Sequence, residues 1–216
     1  MSMLPILIIG KSGAGKSASL RNLPEDKTVV INVLGKPLPF RNRLKTAQCD
    51  DYELIKKSIS KAQYDVYVID DAGYLITNHF MKDHANTGAG NAVFALYNKL
   101  ADDFFKLVRK IQEIPSQARV YILMHEDKND MGDVKPKTIG KLLDEKVCLE
   151  GMFTICLRAM ISQDKHIFRT QSDGIDVAKS PMGMFDSMEI DNDLNLVDTA
   201  IKDYYNIGGN NNEADK

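Results

Sequence analysis

The sequence predicts an α/β fold: a mostly parallel sheet flanked by helices, with an antiparallel hairpin near its C-terminal end. Three observations lead there. Short apolar runs alternate with segments of helical periodicity, the pattern of strands covered on both faces. The first run closes on a glycine-rich loop that opens into a helix. Two late apolar runs face each other across Gln163-Asp164-Lys165, a polar turn.

Taken in order, Pro5 to Ile9 is apolar throughout and reads as a central strand. A helix starts over Lys16 to Arg21. Thr28 to Val33 is β-branched and forms the second strand. Leu34 to Cys49, with its prolines, glycine and basic residues, reads as a loop. Asp50-Asp51-Tyr52-Glu53 has the form of a capping box and opens a helix to Ala62. Val66 to Ile69 is the next buried strand and ends in Asp70-Asp71. Thr77 to Asn91 is polar and reads as a mobile loop. Phe94, Tyr97, Leu100, Phe104, Leu107, Val108 and Ile111 recur at helical spacing and define a long amphipathic helix that stops before Pro115.

Val120 to Met124 is a further strand, and Glu126 to Lys137 a charged loop followed by a short helix. The hairpin takes Phe153 to Ile161 and His166 to Thr170, and a late helix runs from Asp198 to Tyr205. Residues 1–207 form one domain, and 208–216 a polar, disordered tail rich in Asn and Gly.

Composition narrows the function. The chain has 216 residues, 44% hydrophobic and 27% charged, with a formal net charge of -2. No global basic field announces nucleic acid, so any such contact must come from a local patch or from several subunits together. Three cysteines with no C-x-x-C pair argue against a disulfide framework or a zinc site and fit a reducing cytoplasm. The N-terminal apolar run leads straight into the glycine loop and is not a signal peptide. No apolar run approaches the ~18 residues a membrane span requires.

The chemistry starts at Gly10-Lys11-Ser12-Gly13-Ala14-Gly15-Lys16-Ser17, a full G-x-x-x-x-G-K-[ST] phosphate loop between a buried strand and a helix. Glycines let the backbone close around a phosphate with successive N–H groups pointing inward, and the helix start adds positive potential. Lys16 reaches the β- and γ-phosphates, and the Ser17 hydroxyl ligates Mg²⁺. With Ala18, these residues make the nucleotide-binding set for ATP and Mg²⁺.

Tyr64 to Asp71 is a buried strand ending in carboxylates, the pattern of a Walker B motif. Asp70 holds Mg²⁺ through its water shell. Asp71 orients or deprotonates the attacking water. After the next strand, His125 is placed to sense the γ-phosphate and Glu126 to act as base, so the base assignment is divided between Asp71 and Glu126. Asp70-Asp71-Ala72-Gly73 also fits the short D-x-x-G pattern of GTPases. The guanine-reading N-K-x-D is missing, because Asn98-Lys99 is followed by Leu100-Ala101. No arginine-rich lid of the kind small-molecule kinases carry is present.

On the phosphate loop, the Asp-Asp strand end, the His-Glu ending of the next strand and the terminal hairpin, the chain resembles the RecA-like AAA-domain P-loop ATPases of bacteriophages, including the single-strand annealing type. The resemblance spans most of residues 4–190. It implies a RecA-like P-loop NTPase core, ATP hydrolysis with Mg²⁺, single-stranded DNA as partner, and homo-oligomers that meet at the nucleotide, in a host cytoplasm. It further implies that Lys16 and Ser17 take the phosphate and metal roles, Asp70 the Walker B role and His125 the sensing role.

By the same resemblance, Lys179 reaches a neighbouring subunit's phosphate, and the loops 77–91 and 127–140 touch DNA. Lys135, Lys137 and Lys141 lie in and after the second loop, among Asp127, Asp130 and Asp133. Tyr74 and Phe80 are aromatic platforms for bases or packed side chains. His79 and His84 flank Asp83 without further ligands at metal spacing. One departure stands out: RecA-like proteins place a catalytic Glu after the second strand, and here that strand ends Ile31-Asn32-Val33-Leu34. Two alternatives follow from the same residues, a nucleotide-gated scaffold with slow turnover and a small-molecule phosphotransferase.

Overall fold

The computed structural model describes residues 1–41, 43–129, 131–140, 142 and 147–208. Among them, nine strands form one mixed, mostly parallel sheet with helices on both faces. The parallel part takes β1 (Leu4–Gly10), β2 (Thr28–Asn32), β3 (Lys45–Gln48), β4 (Val66–Asp70), β5 (Arg119–Lys128) and β7 (Ile155–Ser162), in the order β3-β2-β4-β5-β1-β7. Then β8 (Lys165–Arg169) and β9 (Glu189–Asp191) extend the edge antiparallel, while β6 (Val134–Pro136) pairs back on β5.

Strand alternation explains why both faces are covered. In β1, Leu7 and Ile9 join one core while Ile6 and Ile8 join the other. In β4 the division is Tyr67 and Ile69 against Val66 and Val68. Period-two side chains on a doubly buried sheet require this. The first core is closed by α1 (Tyr52–Ser60), α2 (Gly73–Asp83) and α3 (Asn91–Glu113). The second is closed by α4 (Leu194–Tyr204) and a short 3₁₀ helix, Ser17–Asn22, after the phosphate loop.

Several expectations need correction. Residues 77–91 are not simply a loop: the first half of the segment belongs to α2, a 3₁₀ turn over His84–Asn86 follows, and α3 begins at Asn91, leaving only 87–90 outside helices. Asp50 explains part of this. Its carboxylate accepts from Asn78 Nδ2 (3.2 Å) and Lys82 Nζ (2.9 Å), and its carbonyl meets His79 Nε2 (3.0 Å), so polar side chains that suggested a loop anchor one helix face. The cap of α1 is Asp51, whose carboxylate accepts from Leu54 N (2.9 Å); Asp50 is therefore free for α2, and Glu53 pairs with Lys56.

The loop 34–49 contains β3, an exposed edge strand without an apolar pattern. The charged segment 126–137 is the end of β5, a turn and β6. The late helix starts four residues earlier than expected because Asp193 caps it through Asn195 N (2.9 Å). Lys141 and the tail beyond Gly208 lie outside the described residues, as does most of the expected short helix.

Beneath the site, a buried polar network joins the sheet to α4. Arg119 donates to both carboxylate oxygens of Asp198 (2.8 and 2.6 Å), and Tyr121 Oη donates to Oδ1 (2.7 Å). Among the described residues no helix is long and apolar enough to cross a membrane.

Candidate nucleotide site

The strand order decides where the chemistry sits. β5 lies between β1 and β4, so its His125-Glu126 end emerges between the phosphate loop and Asp70-Asp71. All three strands are parallel, and their C-terminal ends open on one crevice, the usual position for a ligand on such a sheet. A cavity of about 350 Å³ occupies it, bounded by the phosphate loop, Asp70, Asp71, His125, His166 and the Lys36–Pro39 segment.

Close packing holds the loop's shape. A Cβ on Gly10 would stand 2.5 Å from the Ala159 carbonyl oxygen, and Gly15 has φ +97. Lys16 is buried, and its ammonium donates to the carbonyls of Gly10 (2.7 Å) and Lys11 (2.9 Å). Burial lowers its pKa, and Asp71 and Asp70 oppose that shift. The Ser17 hydroxyl donates to Asp70 Oδ1 at 2.9 Å, across 53 residues of sequence. Burial, reinforced by the Asp71 charge, pushes the Asp70 carboxyl upward. A hydroxyl and a carboxylate meeting beside a phosphate cradle are hard oxygen donors, which suits Mg²⁺ with most of its waters retained.

Asp71 has φ +59, in the left-handed region that Asp tolerates better than most residues. This turn directs its buried carboxylate to Lys36 Nζ (2.5 Å) and toward His125 Nε2 (3.7 Å). His125 packs edge-on to Tyr74, and burial followed by the Lys16 charge lowers its pKa, favouring the neutral ring. Glu126 is placed differently. Both of its oxygens accept from Arg158 (2.8 and 3.0 Å), which also pairs with Asp176 (3.2 Å).

The chain's similarity to known proteins agrees with this geometry. A family model described as an AAA domain matches residues 3–182. The chain belongs to the AAA-domain family. As an AAA-domain protein it falls in a group of nucleotide-binding ATPases. No curated protein matches the chain.

In this AAA domain the other sequence-predicted residues scatter. Lys137 and Lys11 are exposed at a second cavity of about 430 Å³, next to the first across Ser12 and His125. Lys135 is half-buried on β6. Tyr74 lines that second cavity, and Phe80 stacks between His84 and Tyr97. His79 and His84 are thus engaged by Asp50 and Phe80, and the described residues contain no cluster of three or more metal-ligating side chains.

Lys179 bridges Cys156 through the backbone, in register with Leu7 and so three residues below the phosphate loop; it lines neither cavity. Asn32 folds onto its own loop, accepting from Gly35 N (2.7 Å) and donating to the Lys36 carbonyl (2.5 Å). Sequence reasoning missed Lys36, Arg158, His166 and Asn192. Only the Gly35-Lys36-Pro37 turn carried any local signal.

Proposed function

We propose that this protein hydrolyses ATP with Mg²⁺ and acts on single-stranded DNA in phage recombination or annealing, assembled as a homo-oligomer through the nucleotide interface. The observation that supports it most is the Ser17–Asp70 contact at 2.9 Å beside the buried Lys16. In this reading the phosphate-loop N–H groups, from Gly13 to Ala18, bind the β-phosphate, and Lys16 bridges to the γ-phosphate. Mg²⁺, held by Ser17 and through water by Asp70, supplies neutralising charge on the phosphate oxygens.

Asp71 is the stronger choice to orient water and accept its proton, because it lines the phosphate cavity and Glu126 lines only the neighbouring one. Both Glu126 oxygens are taken by Arg158. His125 and Lys36 face the same end of the cavity and stabilise the charge on the oxygens of the phosphoryl group as it passes to water. Lys135, Lys137 and Lys141 supply sequence-independent phosphate contacts to DNA. Lys179 reaches the neighbouring subunit's nucleotide.

The test is ATP hydrolysis with and without single-stranded DNA at low and moderate salt. Salt-sensitive stimulation is expected. ATP binding with turnover indifferent to DNA would favour a second reading, a nucleotide-gated scaffold that turns over slowly. The end of β2 favours that alternative: the resemblance places a catalytic Glu after this strand, which here ends Ile31-Asn32-Val33-Leu34 with Asn32 hydrogen-bonded within its own loop.

A further inference from the structure

The phosphate cavity continues past its closed end. Ala18 and His166 are shared with a smaller cleft of about 260 Å³, whose other walls are Arg21, Asp191, Asn192 and Asp193. Lys36, Asp71 and His125 mark the opposite end of the main cavity. A nucleotide whose terminal phosphate sits at that end therefore runs over Ala18 into the smaller cleft. We propose that this cleft is the nucleobase subsite, with the Asn192 amide reading adenine and the His166 ring stacking on it; the proposal rests on the ATP reading above.

Several observations bear on it. Asn192 is 4% exposed, yet its Nδ2 has no hydrogen-bond partner among the described residues. Buried polar groups are rarely left so without a functional reason. The side chain is held against the phosphate loop: a Cβ on Gly15 would stand 2.8 Å from Asn192 Oδ1 and 3.1 Å from His166 Nδ1. The turn bearing it is also tied down. Arg21 donates to the Asn192 carbonyl (2.6 Å), and Asn22 donates to Asp193 Oδ2 (2.5 Å).

Asp193 has both oxygens engaged, the second by Asn195 N, so the amide is the better-placed reader. An amide offers one donor and one acceptor side by side. Adenine presents the matching pair, its N6 amino group beside a ring nitrogen acceptor, whereas the corresponding edge of guanine presents two acceptors. An exposed imidazole adds a flat face on which a base can stack.

Equilibrium binding of ATP, GTP and inorganic tripolyphosphate, each with Mg²⁺, tests this on the full chain. The wild type should prefer ATP to GTP by about tenfold or more, the worth of one good bidentate contact. Asn192→Ala should bring that ratio to within about twofold while tripolyphosphate binds as before. Asn192→Leu, of the same branched shape, uncharged and able to fold where the alanine variant does not, should do the same. A wild type that does not distinguish the purines, or variants that keep the ratio, would overturn the base subsite and leave phosphate-loop binding intact. Failure of both ATP and tripolyphosphate to bind the wild type would overturn the ATP reading itself.

Discussion

Lys36 Nζ lies 2.5 Å from Asp71 Oδ2, joining an exposed lysine of the loop after β2 to a buried carboxylate after β4. The bond raises the Lys36 pKa, chiefly through the hydrogen bond itself, so the residue is a cation at any physiological pH. With Lys16 on the phosphate loop, it supplies a second positive charge at the same end of the cavity, from the same chain.

Lys36→Met should therefore slow Mg-ATP turnover by about 10²-fold, the cost usual for losing a charged transition-state contact. Affinity for ATP should change far less. Lys36→Arg should recover part of the rate. A rise in KM at constant kcat would instead assign Lys36 to ground-state binding.

Asp70→Asn should separate function from stability. The folded-state pKa of Asp70 is raised above its unfolded value by burial and by Asp71. The stabilisation belonging to its protonated form is thus present at low pH and lost as pH rises through the folded pKa. At neutral pH the ionised carboxylate opposes folding. The asparagine variant should lose Mg-dependent turnover and gain on the order of 1 kcal/mol in denaturant unfolding at pH 7, with the gain shrinking toward acid. Turnover that survives would remove Asp70 from the metal site.

The two acids proposed as base can be told apart. Asp71→Asn should abolish turnover, whereas Glu126→Gln should keep most of it, since Glu126 is held by Arg158. Arg158→Met should cost about 3–5 kcal/mol of stability by stranding Glu126 as an unpaired buried acid and leaving Asp176 with Arg169 alone. Loss of turnover in a well-folded Glu126→Gln variant would reverse the assignment.

Asp198→Ala should destabilise the fold by about 3–5 kcal/mol, because it leaves the buried Arg119 guanidinium without its carboxylate. Thermal unfolding of the variant checks it. A change under about 0.5 kcal/mol would mean that water reaches Arg119.

Lys137→Ala should weaken single-stranded DNA binding and lower the slope of log affinity against log salt by about one. An unchanged slope would take this exposed lysine out of the DNA surface.

Element types near the glycine loop were legible because their signals are local. The phosphate loop, the Asp-Asp strand end and the β7–β8 hairpin each depend on residues within a few positions of one another. The helix over 73–83 was not legible, because its polar face is satisfied by Asp50, more than 20 residues away in sequence. β3 carries no apolar pattern, since every one of its residues is exposed on a sheet edge. The divided assignment of the base had the same root: nothing near Glu126 in sequence announces Arg158.

By itself the sequence determined the α/β class, the strand that ends in the phosphate loop, and the glycine, lysine, serine and aspartate types that meet at the nucleotide cavity. All three follow from short-range rules, hydrophobic period and backbone permissiveness at glycine. Only the tertiary structure decided which strand lies between β1 and β4, that Ser17 meets Asp70, that Lys36 faces Asp71, and that Asn192 rests on Gly15. Those contacts join residues 35 to 177 positions apart, and strand order, which no local periodicity encodes, brings them together.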